Sequence, residues 1–149
     1  RLQQRHGLTR GALHIEVTES VLLDRPDHTV QTLRQLQRHG ICTSLDDFGT
    51  GFSSMAYLHQ LPLDALKIDQ TFVRGVADDE RSAAICRALI SLGHNLGLTL
   101  IAEGVETEEQ LDWLRRHRCD QVQGYLIARP MKMDALLEYL AAVSARSAH

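Results

Sequence analysis

The chain has 149 residues, of which 44% are apolar, 23% charged and 5% aromatic, and its formal net charge is −3. That is the composition of a globular domain able to bury a core without disulfides or structural metals. It excludes a transmembrane span, since no run of about 18 apolar residues occurs, and a dedicated DNA binder, which would carry a basic excess. No basic stretch leads into an apolar one, so no secretory leader is expected and this segment should not touch a membrane. Cys42, Cys86 and Cys119 are odd in number and far apart. They suit neither a disulfide framework nor a zinc site, and a reducing, cytoplasmic setting is the simplest expectation. The first residue is Arg1, which reads as a piece of a longer protein.

In chain order, Leu13–Val17 alternates and predicts a strand. Asp24-Arg25-Pro26 predicts a helix start, Val30, Leu33 and Leu36 continue it at helical spacing, and Gly40 stops it. Ile41–Leu45 predicts a second strand ending at Asp46-Asp47. Gly49-Thr50-Gly51 reads as a loop, and Ser53–Gln60 as a short helix capped by Ser53 or Ser54. Leu66–Ile68 predicts a third strand. Asp78 and Asp79 open a long helix whose apolar face is expected to be Ile85, Ala88, Leu89, Leu92 and Leu96, closed by Gly97. Leu98–Ala102 is a fourth strand. Thr107 and Gln110 form a capping-box pair before a helix that turns Leu111 and Leu114 inward. Asp120–Gln123 is a fifth strand, and Met133, Leu136, Leu137 and Leu140 predict a final amphipathic helix. The extremes, 1–11 and 144–149, are expected to fray. Strand followed by helix, repeated, is the βα unit of a parallel sheet, whose strands all end on one edge.

That edge carries the chemistry. Glu16 ends the first strand, with Glu19 beyond it; Asp46 and Asp47 end the second. Lys67 and Asp69 lie on the third, Glu103 then Glu106 follow the fourth, and Gln123, Tyr125 and Arg129 follow the fifth. Ligands of parallel α/β proteins bind at this edge. A lone strand-end glutamate is ordinarily a solvated loop residue or a cap, and Lys67 alone would pass for a surface lysine. Five consecutive strand ends with such groups are harder to explain that way. Crowded carboxylates repel and call for a cation, and oxygen-only ligands suit Mg²⁺ or Mn²⁺. Adjacent aspartates suit two ions about 3.5–4 Å apart, the arrangement for displacement at phosphorus. The eight histidines form no metal motif. His14 alternates with core residues and is expected in the barrel wall; Trp113 is expected as helix packing.

Together the segments Glu16-Val17-Thr18-Glu19-Ser20, Asp46-Asp47-Phe48-Gly49-Thr50-Gly51, Leu66-Lys67-Ile68-Asp69, Ala102-Glu103-Gly104-Val105-Glu106 and Gln123-Gly124-Tyr125 resemble the EAL-domain family. The likeness runs from about Leu13 to about Leu140. It implies a TIM-like (β/α)8 barrel, of which this chain would be roughly the last five βα units and the C-terminal portion of one domain. It also implies hydrolysis of cyclic di-GMP to linear pGpG with two Mg²⁺ or Mn²⁺ ions. By resemblance, Glu16, Asp46 and Asp47 would hold metal, Lys67 would contact or activate the attacking water, and Glu103 would serve as ligand or base. Gln123 would lie near the substrate. Glu19 would anchor the loop Asp47–Ser54, and Glu106 would support the site from behind. The same loop implies a homodimer, and the family implies other signalling domains, or a membrane anchor, elsewhere in the parent chain. The Glu-Ala-Leu glutamate and the strand-end asparagine expected before Glu16 are not among the 149 residues. The fragment alone is therefore expected to be inactive, and with its barrel open to self-associate. A cyclic di-GMP receptor without turnover is the alternative, although it has no need of the metal set. A five-stranded receiver-type domain fits the length but not the order of the acidic groups.

Overall fold

In a computed structural model, residues 5–24, 26–49 and 58–147 are described. Their five strands are β1 (His14–Thr18), β2 (Cys42–Phe48), β3 (Ala65–Ile68), β4 (Thr99–Ala102) and β5 (Gln121–Val122). All neighbours pair in parallel, in the order β1-β2-β3-β4-β5. A doubly wound receiver-type domain reverses its strand order partway across the sheet. A strictly sequential parallel sheet is instead a length of barrel wall. The helices are α1 (Glu19–Asp24), α2 (Pro26–Arg38), α3 (Gln70–Val73), α4 (Glu80–Asn95), α5 (Glu108–Arg116) and α6 (Met133–Ser147). Among the described residues no helix is long and apolar enough to cross a membrane.

The register sorts the side chains onto two faces. Val17 pairs with Leu45, Leu45 with Leu66 and Leu66 with Leu100. Leu45, Leu66 and Leu100 are fully buried, packed with Leu33, Cys86, Ile90 and Leu114 from the helices. On the other face, Glu16 pairs with Ser44, Ser44 with Ala65, Lys67 with Ile101 and Ile101 with Gln121. Here His14, Glu16, Thr18 and Gln121 are exposed. Helices therefore cover one face of the sheet, as they do around a barrel, and the polar face is the barrel's interior. His14 stands on that face. It is not a buried wall residue: it is exposed, with Nε2 lying 3.0 Å from the Gly11 carbonyl oxygen.

Three expectations shift. β2 continues through Asp46 and Asp47 to Phe48, which pairs with Ile68 beyond a bulge. On α4, Ala88 is exposed, and the buried stripe is Ala83, Cys86, Leu89, Ile90 and Gly93. Small residues set this rotation. A Cβ on Gly93 would stand 2.7 Å from both Leu100 methyl carbons, so the helix backbone lies directly on β4. On α6 the helix forms as expected, but Met133, Leu137 and Leu140 stay 67%, 60% and 50% exposed. Trp113 is buried and stacks on His117 with ring centroids 3.7 Å apart. The expected helix Ser53–Gln60 falls largely outside the described residues.

Caps fix where the helices begin. Thr107 and Gln110 make the full capping box of α5. Asp79 caps α4, accepting from the Ser82 backbone at 2.8 Å and from the Ser82 hydroxyl at 2.6 Å. The Ser82 hydroxyl, then the Ser82 amide, hold the Asp79 carboxyl below the usual range. A depressed carboxyl stabilises the fold above its unfolded pKa, and that contribution is lost as pH falls through the folded value. Asp79→Ala is thus expected to melt a few degrees below the wild type at pH 7, with the gap closing below about pH 4. Thermal melts followed by circular dichroism across pH 2–7 check this.

Candidate functional site

Lys67 lies inside β3, its side chain 5% exposed, and its ammonium is surrounded by acids from three strands. It donates to Glu16 Oε1 at 2.7 Å and to Glu103 Oε1 at 2.5 Å, and it lies 3.4 Å from Asp46 Oδ1. Gln123 Nε2 donates to the same Glu103 oxygen at 2.7 Å. The pleat explains the convergence. Glu16, Asp46, Lys67, Glu103 and Gln123 sit at even spacing on the interior-facing rows of their strands or just past their ends. Burial pulls the Lys67 pKa down, but hydrogen bonds to Glu103 and Glu16 and the charges of Glu103 and Asp46 outweigh it, so the group is held above an ordinary lysine. Burial pushes the Glu103 carboxyl above its usual value; Lys67 opposes this, while the nearby charges of Asp46 and Glu16 add to it.

Three carboxylates on one ammonium leave a net negative site, which attracts cations. The donors are all oxygens, the type preferred by hard divalent ions. Among the described residues, however, no group of three or more His, Cys, Asp or Glu is arranged to hold a metal by itself, because the acids close on Lys67. The donor chemistry thus fits a divalent cation, and a complete shell needs further oxygens.

The other expected residues lie around this centre. Asp47 is exposed, at the bulge, with φ of 57°. That left-handed conformation is costly for a residue other than glycine. Its amide donates to Asp46 Oδ1 at 3.1 Å. Glu19 is 5% exposed, and its carboxylate oxygens have no hydrogen-bond partner among the described residues. The loop expected to meet it is mostly outside those residues. Glu106 is exposed, and its amide donates to Gln110 Oε1 at 2.8 Å.

A cleft of about 760 Å³ opens beside the cluster and shares Glu103 and Gln123 with it. Gln70, Arg74, Glu106 and Tyr125 also line it, and the Arg129 guanidinium lies 4.4 Å above the Tyr125 ring. Its volume suits a nucleotide-sized ligand. Gln70 and Arg74 were not expected at the site. Gln70 opens and Arg74 caps α3, a four-residue helix too short to show periodicity, whose only signal is the cap at Asp69.

Comparison with known proteins points one way. The family model described as "EAL domain" matches residues 1–130. The cyclic di-GMP phosphodiesterase NbdA of Pseudomonas aeruginosa is 46% identical over 136 residues, covering 91% of this chain and 17% of NbdA. Among solved structures, the PaMucR phosphodiesterase in complex with c-di-GMP is 45% identical with a TM-score of 0.84, over 90% of this chain and 54% of that one. The manganese/cy-diGMP complex of Klebsiella pneumoniae BlrP1 is 33% identical with a TM-score of 0.78, over 85% of this chain and 32% of that one. The chain therefore spans about half of the PaMucR structure and under a fifth of NbdA.

Proposed function

The chain belongs to the EAL-domain family, and from that premise we propose that the protein it is part of hydrolyses cyclic di-GMP to linear pGpG at the edge carrying Lys67. The observation that carries the proposal is the convergence of Glu16, Asp46 and Glu103 on the buried Lys67 ammonium. A pure receptor gains nothing from burying that charge cluster.

In this reading Glu16, Asp46 and Asp47 hold Mg²⁺ or Mn²⁺. When bound, the ions would lower the pKa of water and neutralise charge on the phosphoryl oxygens. Lys67 keeps its proton and orients the attacking water by charge and hydrogen bonding. Glu103, its Oε1 held by both Lys67 and Gln123, serves the water network as ligand or base. The water oxygen bonds to phosphorus, one P–O ester bond breaks, and the departing ribose oxygen takes up a proton. Gln123 and the adjoining cleft receive the nucleotide, Glu19 braces the loop after Asp47, and Glu106 supports Glu103. The remaining metal ligands are the family's Glu-Ala-Leu glutamate and strand-end asparagine, supplied by strands upstream of Arg1. Homodimerisation through the Asp47–Ser54 loop, a cytoplasmic setting and partner signalling domains belong to the same proposal.

This gives a direct test. The 149-residue chain and a longer protein with the upstream strands are each incubated with cyclic di-GMP and Mn²⁺, and the nucleotides are separated by chromatography. Turnover by the longer protein and none by the chain is the expected result. Robust turnover by the chain alone would show that the upstream ligands are dispensable.

A further inference from the structure

The side chain of Gln110 does more than cap α5. It is 6% exposed. Its Oε1 accepts from the Thr107 amide at 3.1 Å and the Glu106 amide at 2.8 Å, and its Nε2 donates to the Arg74 carbonyl at 3.2 Å. A capping box needs only an acceptor at this position, and glutamate serves there as well as glutamine. The Arg74 carbonyl needs a donor, which a carboxylate lacks. That third bond thus explains glutamine over glutamate, and it has nothing to do with starting a helix.

The bond joins two parts of the site. Arg74 caps α3, which begins just after Lys67 and Asp69. The Glu106 and Thr107 amides belong to the loop that leaves Glu103. The two segments are already pressed together: a Cβ on Gly104 would stand 2.6 Å from the Gln70 Cβ. The β3–β4 ladder already places Glu103 beside Lys67, with the Glu103 amide donating to the Ile68 carbonyl at 3.1 Å. The Gln110 bridge holds the loop that follows against the α3 segment, and so steadies the angle at which Glu103 meets Lys67.

We propose that Gln110 is a positioning residue for phosphodiester cleavage, holding the Glu103 loop to α3 through the Arg74 carbonyl; this rests on the function proposed above. The test compares Gln110→Glu with Asp79→Ala in the full-length protein. Gln110→Glu keeps the cap and loses the bridge; Asp79→Ala loses a remote cap. Gln110→Glu is expected to melt a few degrees lower, because the Arg74 carbonyl loses its donor. It is expected to lose about 10–100-fold in kcat, far more than the loss of folded protein and in the range for groups that orient a metal site from behind, with little change in KM. Asp79→Ala is expected to melt lower with kcat unchanged. A crystal structure of Gln110→Glu is expected to show Lys67 and Glu103 out of hydrogen-bond contact. This readout decides even if the wild type proves to have no phosphodiesterase activity, an outcome that would sink the function and not the bridge. Wild-type kcat with the Lys67–Glu103 contact intact overturns the proposal, as does a loss of kcat no greater than the loss of folded protein. Should Gln110→Glu fail to fold, Gln110→Met, which loses the bridge together with the Oε1 half of the cap, is compared with Thr107→Ala, which loses cap bonding and keeps the bridge.

Discussion

Replacing Lys67 by methionine is expected to cut hydrolysis of cyclic di-GMP by the full-length protein about 10³-fold, within the span usual for a positioned proton-handling or charge-bearing group. Methionine keeps much of the volume and removes the charge, so Glu16, Asp46 and Glu103 are left facing one another. Breaking a buried charge pair costs about 3–5 kcal/mol of stability. The Glu16 side chain is 52% exposed and solvent relieves part of its charge, so the lower end applies. Lys67→Arg is expected to restore stability more than activity. It keeps the positive charge but presents a planar fork where a compact ammonium now meets three acids. Steady-state kinetics with thermal melts separates the two effects. Turnover within tenfold of wild type in Lys67→Met would mean that the buried ammonium is structural.

The second large effect is expected at Gly124, which follows Gln123. A Cβ there would overlap the Val105 carbonyl oxygen and nitrogen. Both are backbone atoms, and Val105 is fully buried, so neither can swing away. Its amide and carbonyl are moreover engaged by the Gln123 carbonyl and the Leu126 amide. Gly124→Ala must therefore push the β5 end off the Glu103–Glu106 loop, which pulls Gln123 from Glu103. Overpacking usually costs about 1–3 kcal/mol. With backbone on both sides the top of that range is expected, or roughly 10 °C in melting temperature for a domain of this size. Most of the activity should go with it. A Gly124→Ala protein that melts within about 2 °C of wild type would show that the loop can yield.

Much of the architecture is legible in the residues because its signals are local. Alternation in Leu13–Val17 and the short segment Leu66–Ile68 mark strands, and Thr107 with Gln110 marks the start of α5. The interior cluster is legible for the same reason: a strand's period of two fixes which residues share a face. What escapes depends on contacts between segments. The side of α4 that meets the sheet is set by Gly93 against Leu100, not by its largest apolar residues. The β2 bulge between Leu45 and Phe48, which carries Asp46 and Asp47, appears only in the register with β3. α1 is six residues long and α3 four, below the length at which a helical period shows. The Gln110 bridge joins residues 36 apart in sequence, and a local reading of the capping box stops at the helix it starts.

The assignment of the Lys67 cluster as a hydrolytic centre is tested most directly by cyclic di-GMP conversion in the full-length protein with and without Mn²⁺, run beside Lys67→Met and read by nucleotide chromatography. The expected result is linear pGpG from the wild type only when Mn²⁺ is present, and intact cyclic di-GMP still bound by Lys67→Met. Intact cyclic di-GMP recovered from a wild-type protein that binds it in the presence of Mn²⁺ would contradict the account and make the site a receptor.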